Sequence, residues 1–507
     1  MSLTSAARRA ALIHPHGVAT VQRGERVTWR ELERRVACLA GGLRARGVQP
    51  GQRVAILATN SPHYYEVVLA VWWAGGILVP LNTRLAPDEI TYIVQHAQVR
   101  LLLVDEAMED LARRCALGAD VQCAVLTPET YRELHAAEAI TDAAPEIESL
   151  AGIFYTGGTT GLPKGVELSH RNVTFAAMAM LRDLHFDEHS VYLHAAPMFH
   201  LADFGIGMGA TLAAGGHSFL ARFTPEDFYQ RLREEGVTHL QLVPTMIASV
   251  LDAPCRDDAL LARIRRISYG AAPISKALLE RTLQAFPNAR IHQFYGMTEV
   301  CGASVMLGPE RHVLDGPMAG KLTAAGRVLP GFELRIADER GASLPAGQVG
   351  EIQMKGPAVM QGYWKSPEQT REAFVDGWLR SGDAGYLDED GFVYVVDRLK
   401  DMIISGGENI YCSEVENALS HHPAVQASAA VGIPDEQWGE RVHAVIVLRP
   451  GVAATPEELD AYCRRQIAGY KVPRSYEFTD ALPLSGVGKV QKKVLRDQYV
   501  ARKAQEQ

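Results

Sequence analysis

The chain has 507 residues, enough for about three folding units at ~150 residues each. Hydrophobic residues at 47% and charged residues at 22% are a globular balance, which excludes general disorder, collagen-like repeats and a disulfide scaffold. Lys and Arg number 51 against 59 Asp and Glu, and the resulting charge of −8 is not the electrostatic footprint of a nucleic-acid binder.

The seven cysteines, Cys38, Cys115, Cys123, Cys255, Cys301, Cys412 and Cys463, are scattered and form no CxxC pair. They read as reduced thiols of a cytoplasmic protein, not as a zinc knuckle or a secreted framework. The longest apolar run, Val67 to Leu81, is interrupted by Gly75 and Gly76 and is shorter than the roughly 18 residues of a membrane span. The N-terminus has no long apolar stretch before a small-residue cleavage site and reads as a mature cytosolic start.

From Trp29 to Arg100 helical and strand-like stretches alternate: TWRELERRVACLAGGLRARGV, YYEVVLAVWWAG and PDEITYIVQHA as helices, RVAILA, ILVPLN and VRLLLVD as strands, with CAVLT as a further strand. This rhythm predicts parallel strands with helical crossovers in a doubly wound sheet. A second α/β stretch runs from about Ser190 to Ala303, with strands in VYLHAAP, HSFLA, HLQLVP, RISYGAA and RIHQFYG. After about Gly316, FELRIAD, VGEIQMKG and FVYVVD predict a small antiparallel barrel or sandwich. From Leu399 a smaller α+β unit follows, with helices in EVENALSHH and TPEELDAYCRRQIA, the latter capped by Thr455, and strands in VQASAAVGI and VHAVIVLRP. The expected fold is thus α/β, with a large N-terminal domain, 1–398, of two doubly wound subdomains and a small β-barrel. A small mobile α+β domain, 399–507, completes it. The basic tail GKVQKKVLRDQYVARK reads as a solvated terminal helix.

The segment YTGGTTGLPKG, Tyr155 to Gly165, follows the apolar strand AGIF. Gly157, Gly158 and Gly161 allow close backbone approach, Thr159 and Thr160 can donate to anionic oxygens, and Lys164 adds a positive charge. These are phosphate-binding parts, yet the spacing from Gly158 to Lys164 is not that of a Walker A loop. Downstream, QFYGMTE places an aromatic ring, a glycine and a carboxylate within five residues, which can serve a base, a backbone approach and a hard cation.

The loop is similar to the (S/T)(S/T/G)GTTGxPKG signature of the AMP-forming adenylating enzymes, the superfamily of acyl-CoA synthetases, firefly luciferase and peptide-synthetase adenylation domains. It departs mildly, with Gly157 where serine is more usual. The resemblance implies that Thr156 to Gly161 and Lys164 hold the ATP phosphates, with Thr156 also beside Mg²⁺. It further implies that Tyr295 stacks on adenine, that Gln293, Gly296 and Met297 line the base, that Thr298 touches the α-phosphate and that Glu299 binds Mg²⁺. YGAAPIS resembles the segment against adenine, through Gly270, Ala271 and Ala272. SGDAG, by itself a glycine-rich turn, supplies Asp383 for the ribose hydroxyls, with Arg398 nearby and Lys400 at the hinge. PLSGVGKV carries Lys489, matching the catalytic lysine that reaches the α-phosphate and the substrate carboxylate. APMFHLADFG is similar to the region where a histidine, here His200, stands at the mouth of the acyl channel.

The resemblance spans nearly the whole chain and is strongest to fatty-acyl and aryl-acyl CoA ligases. It implies ATP, Mg²⁺ and CoA, with Gly406, Gly407, Trp438 and Arg84 on the CoA side. The expected acid is a medium- or long-chain fatty acid, with a cinnamate- or ferulate-like acid or a non-CoA acceptor as alternatives. Partners are small molecules, neither nucleic acid nor membrane, and self-association as a homodimer is compatible with this. No protein nucleophile is needed, which fits the lack of a GxSxG elbow. Three motifs compete: GGHSF, with Ser218 as a carrier-type acceptor, GIGMGA as a dinucleotide loop, and the pair His421 and His422 as ligands. They read instead as a strand turn, helix packing and a proline-stopped helix end.

Overall fold

The computed structural model describes residues 3–156, 162–272, 274–314, 316, 319–484 and 490–506. By compactness the chain forms two units: residues to Glu333 with Met354–Leu379, and Leu334–Gln353 with Arg380–Gln507. Both are mixed α and β, the first large and the second small, as expected.

The first unit holds two sheets. In the seven-stranded sheet, Leu150–Thr156, Ile77–Pro80, Arg53–Leu57, Val99–Val104 and Gln122–Val125 run parallel, edged on one side by antiparallel Lys164–Ser169 and Gly362–Tyr363. The nine-stranded sheet has a parallel centre of Arg290–Tyr295, Arg266–Gly270, His239–Leu242, Val191–His194, Gly216–Phe219 and Val18–Gln22. Its inner strands are covered on both faces, and they bury polar residues such as His217, Gln241, Ser268 and His292 among the apolar ones. Helices Pro62–Trp73, His170–Asp183 and Leu201–Leu212 form the layer between the sheets, the first touching strands of both. Trp72, fully buried, ties this layer to the smaller sheet by donating Nε1–H to the Ala151 carbonyl at 2.8 Å.

Local chemistry starts the helices where the sequence indicates. Thr28 and Glu31 form a reciprocal capping box for Trp29–Ala45, and Ser61 caps Pro62–Trp73 with proline at its first position. The hairpin Val18–Gln22 and Glu25–Thr28 is absent from the sequence reading, and it completes the larger sheet by pairing Thr20 with His217. The competing motifs resolve structurally. Ser218 is buried in Gly216–Phe219 and donates to Glu235 at 2.5 Å; GIGMGA lies inside Leu201–Leu212; His421 caps Cys412–Ser420.

In the second unit, Val425–Asp435 and Gly439–Leu448 form a long antiparallel pair, flanked by Ile403–Ser405 and, in parallel, Ser475–Phe478. Cys412–Ser420 and Pro456–Cys463 cover one face around Val415, Leu419 and Leu459. The terminal helix Lys492–Glu506 sets Leu495 against Val431 and Val445 on the other. Lys492 pairs with Glu416 at 2.9 Å; burial opposes its charge, but Glu416, Cys412 and Asp397 outweigh burial and raise its pKa. Among the described residues no helix is long and apolar enough to cross a membrane.

Burial pushes four histidines of the first unit down, His170, His239 and His312 to about 4 and His292 to about 3. The folded chain therefore binds fewer protons at these rings than the unfolded chain, so their stability is complete above about pH 6.5 and is lost as pH falls toward 4. Denaturant titrations should give a stability that is level from pH 7 to 8 and declines below 6.5. His239→Gln should differ from the parent progressively less as the pH is lowered, by up to about 1.4 kcal/mol per unit. A constant difference down to pH 4.5 would contradict this account.

Candidate active site

The expected nucleotide residues of the first unit sit at the carboxyl ends of strands, where α/β sheets bind ligands. Thr156 ends Leu150–Thr156 and faces Lys164 across the antiparallel hairpin. Residues Gly157, Gly158, Thr159, Thr160 and Gly161 lie outside the described residues. Gly270 and Tyr295 end two adjacent parallel strands, with Gly270 paired to Phe294 and Tyr269 to Gln293. The Tyr269 hydroxyl donates to Gln293 Oε1 at 3.0 Å and lies 3.2 Å from His312 Nε2, so Gln293 is oriented from behind by groups the sequence reading did not single out. Ala271 takes a left-handed conformation (φ +64°) and Ala272 follows it in the bend after the strand.

Gly296 and Met297 lead into the short turn Thr298–Val300. Glu299 in that turn is 6% exposed, and its Oε1 accepts from the Tyr363 hydroxyl at 2.9 Å. Lys164 Nζ stands 4.9 Å from the centre of the Tyr363 ring. Tyr363 thus joins the hairpin of Thr156 and Lys164 to the turn of Glu299. Its burial, and then the neighbouring carboxylate, push the phenol pKa up, so it stays protonated and donates. The sequence reading missed Tyr363; its only local signal is the Gly-Tyr-Trp run after Gln361.

Glu299 and Thr156 offer hard oxygen donors. Among the described residues no group of three or more His, Cys, Asp or Glu side chains could hold a metal alone. That donor set fits Mg²⁺, which is held by one or two carboxylates together with substrate phosphates and water. His200 precedes the helix Leu201–Leu212, its ring centre 4.3 Å from that of Phe199. The segment leading to it is fixed by Asn60, which donates to the carbonyls of His194 and Ala196 and accepts from Met198 N–H at 2.8 Å. Arg84 is exposed in the turn after Ile77–Pro80, its N–H bonded to Asn82 Oδ1.

In the second unit, Asp383 does not lie in a turn. It is the sixth residue of the ten-residue strand Trp378–Leu387, 4% exposed, opposite Arg398 on Val393–Arg398. Glycines at 382 and 385 suggested a turn, but Gly382 takes φ +69° and the register slips between Ala384 and Gly385, so the ladder absorbs both. Arg398 Nε approaches Asp383 Oδ1 to 2.7 Å, a pairing that orients the carboxylate. Lys400 is exposed in the short turn Leu399–Asp401. Gly406 and Gly407, at φ +62° and +86°, form the two-residue turn between Ile403–Ser405 and Glu408–Ile410, a conformation side chains resist. Gly406 N–H donates to the Trp438 carbonyl at 2.9 Å, and Arg474 lies 4.6 Å from the centre of the half-buried Trp438 ring. Gly406, Gly407 and Trp438 are thus brought together, joined by the unexpected Arg474. Lys489 lies outside the described residues.

A Cβ on Gly296 would fall 2.4 Å from the Gly302 carbonyl oxygen and 2.7 Å from Ala303 Cα, both backbone atoms that cannot step aside as a side chain can. Gly296→Ala should therefore cost about 1–3 kcal/mol of stability and weaken adenine-nucleotide binding. Denaturation with and without AMP checks both; an unchanged midpoint and affinity would show that the turn has slack.

Comparison with known proteins shows the family. Residues 7–364 match the AMP-binding enzyme family and residues 414–489 the AMP-binding enzyme C-terminal domain. A feruloyl-CoA synthase of an Amycolatopsis species is 40% identical over 97% of this chain and 98% of its own. A fatty acid–[acyl-carrier-protein] ligase, ScoC of Streptomyces coeruleorubidus, is 36% identical over 96% and 94%. Among solved structures, ATP-bound MatB from Rhodopseudomonas palustris aligns with a TM-score of 0.90 at 31% identity, covering 98% of this chain and 99% of MatB. O-succinylbenzoate coenzyme A synthetase (MenE) from Bacillus subtilis, with ATP and magnesium ion, aligns at 0.85 and 32% identity over 97% and 99%. With both domains matched and such relatives covering nearly its whole length, the chain belongs to the AMP-binding enzymes, as an AMP-forming acid–thiol ligase.

Proposed function

We propose that this enzyme couples ATP to a carboxylic acid, forming an acyl-adenylate and pyrophosphate, and then transfers the acyl group to CoA with release of AMP. The observation that carries this reading is the junction of Thr156, Lys164, Tyr363 and Glu299 at the strand ends of the first unit. A carboxylate attacking the α-phosphate brings anions together, so positive charge must be supplied where it builds up. Lys164 and Lys489 supply it from the protein, with the loop from Thr156 to Gly161 adding hydrogen-bond donors. Mg²⁺ held through Glu299 and Thr156 would neutralise phosphate charge. Tyr295 and the Gly270 to Ala272 bend receive adenine beside Gln293, Gly296 and Met297, and Thr298 faces the α-phosphate. Asp383, oriented by Arg398, accepts the ribose hydroxyls.

Transfer to the thiol needs a second arrangement of the smaller domain, residues 399–507, about Lys400. Gly406, Gly407, Trp438 and Arg84 then serve CoA, Trp438 as a stacking surface for its adenine and Arg84 as a phosphate contact. Arg474, behind Trp438, holds that ring. His200 stands at the carboxylate end of the acyl channel.

For the acid, a medium- or long-chain fatty acid is the first reading, supported by the likeness to the fatty acid ligase and by the small or adaptable residues Gly270, Ala271, Gly302, Met208 and Met306. A hydroxycinnamic acid is the second, favoured by the higher identity to the feruloyl-CoA synthase. CoA-dependent AMP release across C4 to C18 fatty acids and hydroxycinnamic acids decides between them. Lys489→Ala should lower turnover by two or more orders of magnitude, since it removes a charge present at the reacting phosphate. Release of AMP without thioester would replace CoA by another acceptor, and full activity of Lys489→Ala would overturn the assignment of that residue.

A further inference from the structure

Tyr363 makes two contacts that no reading of the motifs demands. Its hydroxyl donates to Glu299 Oε1 at 2.9 Å, and the face of its ring lies beneath Lys164 Nζ at 4.9 Å. Neither contact is required to hold the backbone. Tyr363 pairs with Val166 in the sheet edge, its N–H bonds Thr370 Oγ1 at 2.9 Å, and Trp364 N–H bonds the Gly165 carbonyl at 2.7 Å. The backbone of Glu299 is pinned separately, its carbonyl accepting from Met360 N–H at 2.8 Å. With both main chains fixed by other bonds, the phenol is left to orient two side chains, a buried carboxylate and an ammonium, from one rigid ring.

We propose that Tyr363 is a positioning residue of the cation and phosphate site: its hydroxyl sets the carboxylate of Glu299, its ring face seats the ammonium of Lys164, and one side chain thereby fixes the spacing between the cation ligand and a phosphate ligand. Partners that orient a metal-binding carboxylate typically change cation affinity ten- to a hundredfold when lost. A cation over an aromatic face contributes less, about a threefold effect at a part-exposed site. The two functions of the ring are therefore separable. The hydroxyl acts on the cation, and the face acts on the phosphates even when no cation is present.

This proposal rests on Glu299 being the cation ligand, and its test keeps the two claims apart. Mn²⁺ binding, followed by electron paramagnetic resonance in the presence of a non-hydrolysable ATP analogue, is measured for the parent, Tyr363→Phe, Tyr363→Leu and Glu299→Gln. Binding of the same analogue in EDTA is measured by calorimetry. Tyr363→Phe should raise the half-saturating Mn²⁺ concentration about tenfold, with metal-free nucleotide binding and the unfolding midpoint unchanged. Tyr363→Leu should add about a threefold loss of metal-free binding, and that loss should vanish in a Lys164→Met background. If Glu299→Gln weakens Mn²⁺ binding and Tyr363→Phe does not, the proposal fails while Glu299 keeps its assignment. If Glu299→Gln leaves Mn²⁺ binding intact, the assignment of Glu299 fails and the proposal with it. A lowered unfolding midpoint in Tyr363→Phe, with unchanged Mn²⁺ binding, would make the hydroxyl merely structural.

Discussion

Two sheets that share one helical layer bury most of that layer, so a polar group on its inner faces is stabilised when it finds a partner inside. The helix Leu201–Leu212 meets this constraint with Asp203, which accepts from the Tyr192 hydroxyl at 2.9 Å and lies 2.5 Å from His194 Nδ1. His194 Nε2 lies 3.0 Å from His217 Nδ1, and from there the chain of contacts passes through Thr211 to the Tyr65 hydroxyl on the neighbouring helix. Burial holds His217 well below its ordinary pKa, so the relay carries no surplus charge there. Space for it comes from the motif that imitates a dinucleotide loop: a Cβ on Gly207 would fall 2.6 Å from the His194 ring. Asn60 closes the other end, reaching from the smaller sheet to the carbonyls of His194 and Ala196. The segment that bears His200 therefore inherits its place from a buried polar core.

The site itself follows a similar economy. In the first unit the candidate residues stand on short turns rooted in strand ends, Thr156 and Lys164 in one hairpin and Gly270 and Tyr295 in adjacent parallel strands, whereas Asp383 and Arg398 sit within one ladder of the second. Rigid roots suit a reaction in which protein groups bind and neutralise charge without forming a covalent bond, because positioning is most of what they contribute. Trp438 shows the same arrangement in the second unit, backed by Arg474 and approached by Gly406.

What the sequence discloses follows the range of the interaction. Strands such as RVAILA and helices such as PDEITYIVQHA announce themselves because period and burial are local properties. The segments Tyr155 to Gly165 and Gln293 to Glu299 stand out because their distinctive residue types lie close together in the chain. The structure around Asp383 was not legible, since its neighbouring glycines signal a turn and only the opposing strand Val393–Arg398 turns them into ladder positions. Tyr363 was silent: its partners Glu299 and Lys164 stand 64 and 199 positions away, and no local pattern reports such a meeting. The helix expected through Ala468 ends at Cys463, the remainder turning into Gly469–Lys471.

The hairpin at the start of the chain has a consequence for the order of assembly. Val18–Gln22 emerges from the ribosome early, but its partner Gly216–Phe219 is translated nearly two hundred residues later. At ~5–20 residues per second that is a wait on the order of ten seconds or more. During that wait the apolar residues Ala19 and Val21 have only their own hairpin for cover. The late strand has the complementary difficulty, because without the hairpin its backbone would be an open edge on an otherwise buried sheet, a template for another chain. The N-terminal residues thus act as a seal begun early and closed only after a long delay, and a nascent chain kept from closing it would be exposed to intermolecular pairing rather than to simple unfolding.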